Sequence, residues 1–149
     1  MGTRSRIGVM HGDKLKSVYC HWDGYLAHNG QILQEHYDSA KANNLVALGD
    51  LSTLRENVMV PDGVDHSFEK PLAGITVFYG RDRGEAGTDF KVAHTFEEFL
   101  EQCDNCAAEY YYIMKDGVWY VGTTYEVGHS LAKKLTVLTE AIADKEVTA

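Results

Sequence analysis

The Asp116-Gly117 dipeptide, set between the apolar runs 109–114 and 118–123, constrains this chain more than any other feature. Aspartate followed by glycine suits a two-residue type I′ turn, because both central positions of that turn need positive φ. Such a turn also fixes register. It predicts Met114 opposite Trp119 and Tyr112 opposite Val121 on one face, with Ile113 opposite Tyr120 on the other. Both faces then carry large apolar groups, so these strands belong inside a sheet covered by helices on at least one side.

Other signals extend this hairpin into an α+β order. Residues 6 to 12 and 15 to 21 read as a second hairpin, with Ile7 and Val9 on one arm, Leu15, Val18 and Tyr19 on the other, and Gly12-Asp13 at the turn. Asn29 or Gly30 is placed to cap a helix carrying Ile32, Leu33, His36, Tyr37 and Ala40 at helical spacing. Leu45, Val46 and Leu48 continue that helix or start a second one ending at Gly49. Residues 50 to 73 read as a long connection broken by Pro61-Asp62-Gly63 and Pro71. Ile75 to Tyr79 reads as a buried strand, followed by a charged, glycine-punctuated loop from Gly80 to Gly87. Thr95-Phe96-Glu97-Glu98 is a capping box, and Phe96, Phe99, Leu100 and Cys103 share one face of the helix it opens. Leu131, Leu135, Leu138 and Ile142 predict a last helix, with a disordered tail from about residue 145. The expectation is a single α+β domain over residues 1–149, a mainly antiparallel sheet of about five strands with about three helices packed on it.

Composition narrows the function. A chain of 149 residues with 44% hydrophobic content has material for one core. No run approaches the length of a membrane span, and the start Met1-Gly2-Thr3-Arg4-Ser5-Arg6 lacks the apolar segment of a signal peptide, so no membrane association or export is expected. A net charge of −8 argues against gripping a nucleic-acid polymer, which needs clustered Lys and Arg. A small anion is a different matter, since two or three Arg with backbone N–H groups can bind one phosphate whatever the global charge. No cofactor is expected. The three cysteines read as free thiols; as a weaker alternative, Cys20, Cys103 and Cys106 with one imidazole would make a Cys3His zinc set.

The run Tyr19-Cys20-His21-Trp22-Asp23-Gly24-Tyr25-Leu26-Ala27-His28-Asn29-Gly30 holds the densest polar and aromatic chemistry. His21, Asp23 and His28 are candidates for an acid/base set, with Asp23 orienting an imidazole. His36 joins them in a metal-dependent variant of that idea. For ligand binding the candidates are Arg4, His21, Trp22, Tyr25, His28, Asn29, Arg81 and Arg83. Arg81 and Arg83, flanked by Gly80 and Gly84, can present planar forks to a phosphate, and Trp22, Tyr25, Tyr79 or Trp119 can stack on a base. The competing reading pairs Arg81 and Arg83 with Asp82, Glu85 or Asp89 on an exposed loop.

The start Gly2-Thr3-Arg4-Ser5, the Cys20-His21-Trp22-Asp23-Gly24-Tyr25-Leu26 run with His28-Asn29-Gly30, and the His36-Tyr37 pair carry a resemblance. On these residues the chain resembles an uncharacterised family of small proteins encoded by large tailed bacteriophages, including cyanophages. Weaker echoes run through Leu48 to Ser52, Phe78 to Glu85 and Asp116 to Tyr120. The resemblance implies a phage accessory protein acting in the host cell cytoplasm and supplies no catalytic residue. From that context comes the expectation of counter-defence: a small anionic or nucleotide-like ligand held between the 19–30 and 79–85 loops, as in sequestration of a host signalling nucleotide. The alternatives are a hydrolase or phosphodiesterase using His21, Asp23 and His28, and an inhibitor that docks on a host protein through the aromatic run. An oligomer is compatible with each.

Overall fold

The computed structural model describes residues 3–123, 136–140 and 142. These residues build one eight-stranded sheet: β1 (Ser5–His11), β2 (Lys14–Cys20), β3 (Leu51–Thr53), β4 (Val77–Phe78), β5 (Lys91–Ala93), β6 (Tyr110–Lys115), β7 (Val118–Thr123) and β8 (Thr136–Val137). The order across the sheet is β4-β3-β2-β1-β6-β7-β8, and β5 pairs with the start of β2. Around it lie α1 (Gln31–His36), α2 (Ser39–Ala47), α3 (Tyr79–Arg83) and α4 (Phe96–Asn105), with a π-helical turn at Leu26–Gly30. The class is α+β.

Both hairpins form where their turn residues demand. Asp116 and Gly117 have φ of 53° and 78°, and the ladder pairs Met114 with Trp119, Ile113 with Tyr120 and Tyr112 with Val121. In the first hairpin His11 faces Lys14 across Gly12-Asp13, with Gly12 at φ 65°.

The sheet is larger and more mixed than expected. β1 runs parallel to β6, with Ile7 opposite Tyr112, and β2 runs parallel to β3 at Cys20 and Leu51. β4 falls inside the strand expected over Ile75 to Tyr79 but keeps only Val77 and Phe78, while β3 and β5, three residues each, are too short to print a period on the sequence. The helix expected from Asn29 or Gly30 is interrupted: Tyr37 is extended, and the Asp38 carboxylate caps α2 by accepting the Lys41 N–H at 2.9 Å. α3 stands where a loop was expected. β8 lies inside the segment expected to be the last helix, but residues 138–140 and 142 after it are helical, with Leu138 fully buried and Ile142 packed on the same core; Leu131, Leu135 and the tail from about 145 fall outside the described residues.

Alternation along the strands divides the core between the two faces of the sheet. One face sends Ile7, Val9, Val18, Cys20, Tyr112, Met114, Trp119 and Val121 against Leu33, Leu45 and Val46 of the first two helices and against Leu51, Leu54 and Phe78. On the other, Leu15, Ala93, Tyr111 and Ile113 meet Phe99 and Cys103 of α4. That helix starts at its capping box, the Thr95 hydroxyl accepting the Glu98 N–H at 3.1 Å. Each large side chain fully buried this way contributes about 1.5–3 kcal/mol. α4 covers only part of its face, and Tyr19 and Tyr79 remain partly exposed.

Candidate functional site

Beyond Cys20 the chain turns sharply. Asp23 takes φ 57°, and an added Cβ on Gly24 would meet the Ser5 side chain at 2.6 Å, so only glycine fits there. The Gly24 N–H donates to the Thr3 carbonyl at 2.7 Å, and the Gly24 carbonyl accepts the Tyr112 hydroxyl at 2.6 Å. This turn splits the dense run between the two sides of the sheet.

Cys20, Asn29 and His28 go inward. Asn29 is fully buried; its Nδ2 donates to Ser5 Oγ at 3.2 Å and to Cys20 Sγ at 3.3 Å, while its Oδ1 lies 2.9 Å from His28 Nδ1. Arg55 Nη1 lies 3.2 Å from His28 Nε2. A guanidinium only donates, so Nε2 accepts and the ring proton sits on Nδ1, directed at Asn29. Burial pushes the Cys20 thiol up to about 11, with the Asn29 bond opposing it. The order is Cys–Asn–His, with the amide between thiol and imidazole, so no base contacts this sulfur. Tyr25, half-buried, tilts toward His28 at 6.2 Å between ring centroids.

His21 goes the other way. Its Nδ1 lies 2.6 Å from the Tyr19 hydroxyl, and its ring meets Trp22 edge-on at 4.6 Å. Burial and the Arg4 charge both lower the His21 pKa, keeping the imidazole neutral at physiological pH. Burial pushes Tyr19 up to about 12, against the pull of Arg4, so the phenol keeps its proton. With that O–H donating to Nδ1, the neutral ring carries its own proton on Nε2. Trp22 is 42% exposed. Among the described residues no ion pair joins Asp23 to either imidazole, and His21 and His28 leave the chain on opposite sides of the sheet. His36 is distant in role: it is exposed on α1, 3.8 Å from Glu35.

The second loop divides in the same manner. Arg81 is engaged by the protein itself: Nε donates to Asp82 at 2.9 Å, Nη2 to the Thr76 carbonyl at 2.9 Å and Nη1 to the Val58 carbonyl, with the guanidinium over the Phe78 ring. Arg83 is exposed. It stacks 4.7 Å over Phe68 and keeps a loose 3.7 Å contact with Glu85, worth little in water. Phe68 in turn packs on Tyr79 at 5.7 Å, and the Ser52 carbonyl accepts the Trp22 N–H at 3.0 Å. Burial first, with smaller charge effects, raises the Tyr79 pKa.

The two loops are tied at Asp50, whose carboxylate accepts the Tyr19 N–H at 2.9 Å and whose carbonyl accepts the Tyr79 N–H at 3.2 Å. The strip they form has Arg4, His21 and Trp22 at one end and Phe68 with Arg83 at the other. Arg4 is exposed, and among the described residues no carboxylate pairs with it. Sequence reasoning singled out Arg4, His21, Trp22, Tyr79 and Arg83; it missed Ser52, Arg55 and Phe68, which lie in the connection without periodicity. The i, i+2 spacing of Tyr19 and His21 on a strand was the available signal for their shared face.

Two further placements bear on chemistry. Cys20 packs on one face of the sheet and Cys103 on the other, and among the described residues no three His, Cys, Asp or Glu side chains converge on a metal position. A larger concavity, about 900 Å³, lies between the α1–α2 junction and the β6–β7 turn, but Glu35 and Asp38 line it and disfavour an anion. Among the described residues no helix is long and apolar enough to cross a membrane. No protein-family model, curated protein or solved structure matches the chain.

Proposed function

We propose that the chain binds a small anionic, nucleotide-like ligand on the Tyr19–Tyr79 strip. The observation that carries this is the exposed Arg4, which the Ser5–Cys20 pairing puts next in register with His21, a neutral imidazole with Nε2–H to donate, next to the exposed Trp22 ring. Donors without a carboxylate competitor suit a phosphate, and an exposed indole face suits a base. Arg83, tethered only loosely to Glu85, supplies a second cation at the far end. Arg81, His28 and Asn29, whose polar atoms are bonded within the fold, have no part in this reading.

The reading places the protein in the phage setting that its sequence resembles, in the host cytoplasm, holding a signalling nucleotide without transforming it. Binding of nucleoside mono- and diphosphates and cyclic dinucleotides, followed by Trp22 fluorescence and calorimetry, tests it. Arg4→Ala should weaken binding by roughly 10- to 100-fold, the loss expected for one charged hydrogen bond. Unchanged affinity in Arg4→Ala, or no binding by the parent protein, overturns the site; recovery of a chemically altered nucleotide overturns the passive role.

A further inference from the structure

A different part of the molecule carries a second chemistry. Arg6 is only 1% exposed, beneath the end of α4. Its Nε donates to Ser17 Oγ at 2.7 Å and its Nη2 to the Ser17 carbonyl at 3.2 Å, while Nη1 points at Cys106 Sγ, 3.7 Å away. Among the described residues no carboxylate forms an ion pair with this guanidinium. Asp50, whose ionisation Arg6 favours, is bound instead to the Tyr19 N–H. A buried cation normally has an anion beside it, and here the nearest atom able to become one is a sulfur.

Cys106 has company. It caps α4 and donates its S–H to the Cys103 carbonyl at 3.4 Å, one turn earlier. Positions i and i+3 of an α-helix bring Cα atoms about 5 Å apart, inside the range a disulfide spans. Cys103 is fully buried, whereas Cys106 is partly open to solvent.

We propose that Cys106 and Cys103 form a peroxide-reactive thiol pair, with Arg6 as the positioning charge. In the first step the Cys106 sulfur attacks a hydroperoxide: the S–O bond forms, the O–O bond breaks, and the departing oxygen takes the thiol proton and leaves as alcohol or water. Arg6 stabilises negative charge as it develops on sulfur. In the second, the Cys103 sulfur attacks the Cys106 sulfenic acid; the S–S bond forms, the S–O bond breaks, and hydroxide leaves as water with the Cys103 proton. Two thiols lose two electrons, and the peroxide gains them. Cys20, on the opposite face of the sheet, takes no part.

Treatment of the whole protein with hydrogen peroxide, then dimedone and iodoacetamide, followed by peptide mass spectrometry, tests the pair. The expected product is a Cys103–Cys106 disulfide with Cys20 reduced, formed roughly tenfold faster than glutathione oxidises in the same solution. Cys103→Ser should trap dimedone on Cys106. Arg6→Gln should slow Cys106 oxidation about tenfold and Arg6→Lys restore it, each in protein shown by circular dichroism to be folded. Oxidation of Cys106 no faster than glutathione overturns the proposal, and this comparison needs no Arg6 variant. Dimedone on Cys106 of the parent protein, without disulfide, overturns the resolving role of Cys103.

Discussion

Asp82 anchors the long connection between β3 and β4 to the sheet. Its carboxylate, 3% exposed, accepts from the Phe78 N–H at 2.8 Å, from Arg81 at both oxygens and from His66 Nε2 at 3.2 Å. His66 Nδ1 accepts the Leu72 N–H at 2.9 Å, so the ring proton sits on Nε2 and points at Asp82. Asp82→Asn keeps the shape but turns an acceptor into a donor facing Arg81; a loss of about 1.5–3 kcal/mol in urea unfolding is expected. Burial would raise the Asp82 pKa, but the bonds from Arg81 and Phe78, with the charges of Arg81 and His66, hold it below the usual value. An acid whose folded pKa is depressed stabilises the fold above its unfolded value, about pH 4, and loses that contribution as pH falls through the folded one. The gap between parent and Asp82→Asn should therefore narrow on acidification; a constant gap from pH 7 to pH 2 would mean the charge contributes nothing. Asp50 has the opposite sign, since burial raises its pKa and its charge opposes folding near neutral pH.

The elements differ in how far they could be read in advance. Both hairpins were legible because the positive φ at Gly12 in one and at Asp116 and Gly117 in the other is a local property, and α4 because the Thr95 hydroxyl accepts the Glu98 N–H within one turn. Gly117→Val puts a β-branched residue at φ 78° and should destabilise the domain by about 1–2 kcal/mol, read as a lower melting temperature. No change would remove the turn from the list of constraints. The break between α1 and α2 was written in the Asp38-Ser39 pair, but the apolar spacing runs through it unbroken and outweighed the cap. Asp38→Ala should cost about 1 kcal/mol and no more, because Trp119 Nε1–H still donates to the Tyr37 carbonyl at 2.9 Å and holds the break. β4 was read as the buried run Ile75 to Tyr79, whereas β3 and β5 left no readable trace, since three residues cannot establish alternation.

At the scale of the whole molecule, the two apolar clusters hang on the same strands, β1, β2 and β6, one on each face. Neither can melt while the other keeps its floor, so unfolding should be one cooperative transition. Trp119 is buried and Trp22 exposed, so fluorescence of a Trp22→Phe variant and far-ultraviolet circular dichroism should report the same midpoint; two separate midpoints would show that the clusters are independent. What the sequence determined by itself is the class of fold, the two hairpins, the register of the one at Asp116-Gly117, and the capped helix; the hairpins and the cap are set by contacts within a few residues. Tertiary structure decided the rest. The parallel pairing of β1 with β6 joins residues about a hundred positions apart and buries Arg6 against Cys106. Arg81 is held nearer by, at the adjacent Asp82 and at the Thr76 and Val58 carbonyls, while among the described residues no carboxylate pairs with Arg4. Whether a guanidinium is structural or open to a ligand depends on which acceptors surround it: for Arg81 the adjacent Asp82 was legible in the sequence, whereas the Val58 carbonyl, 23 positions away, is brought by the fold.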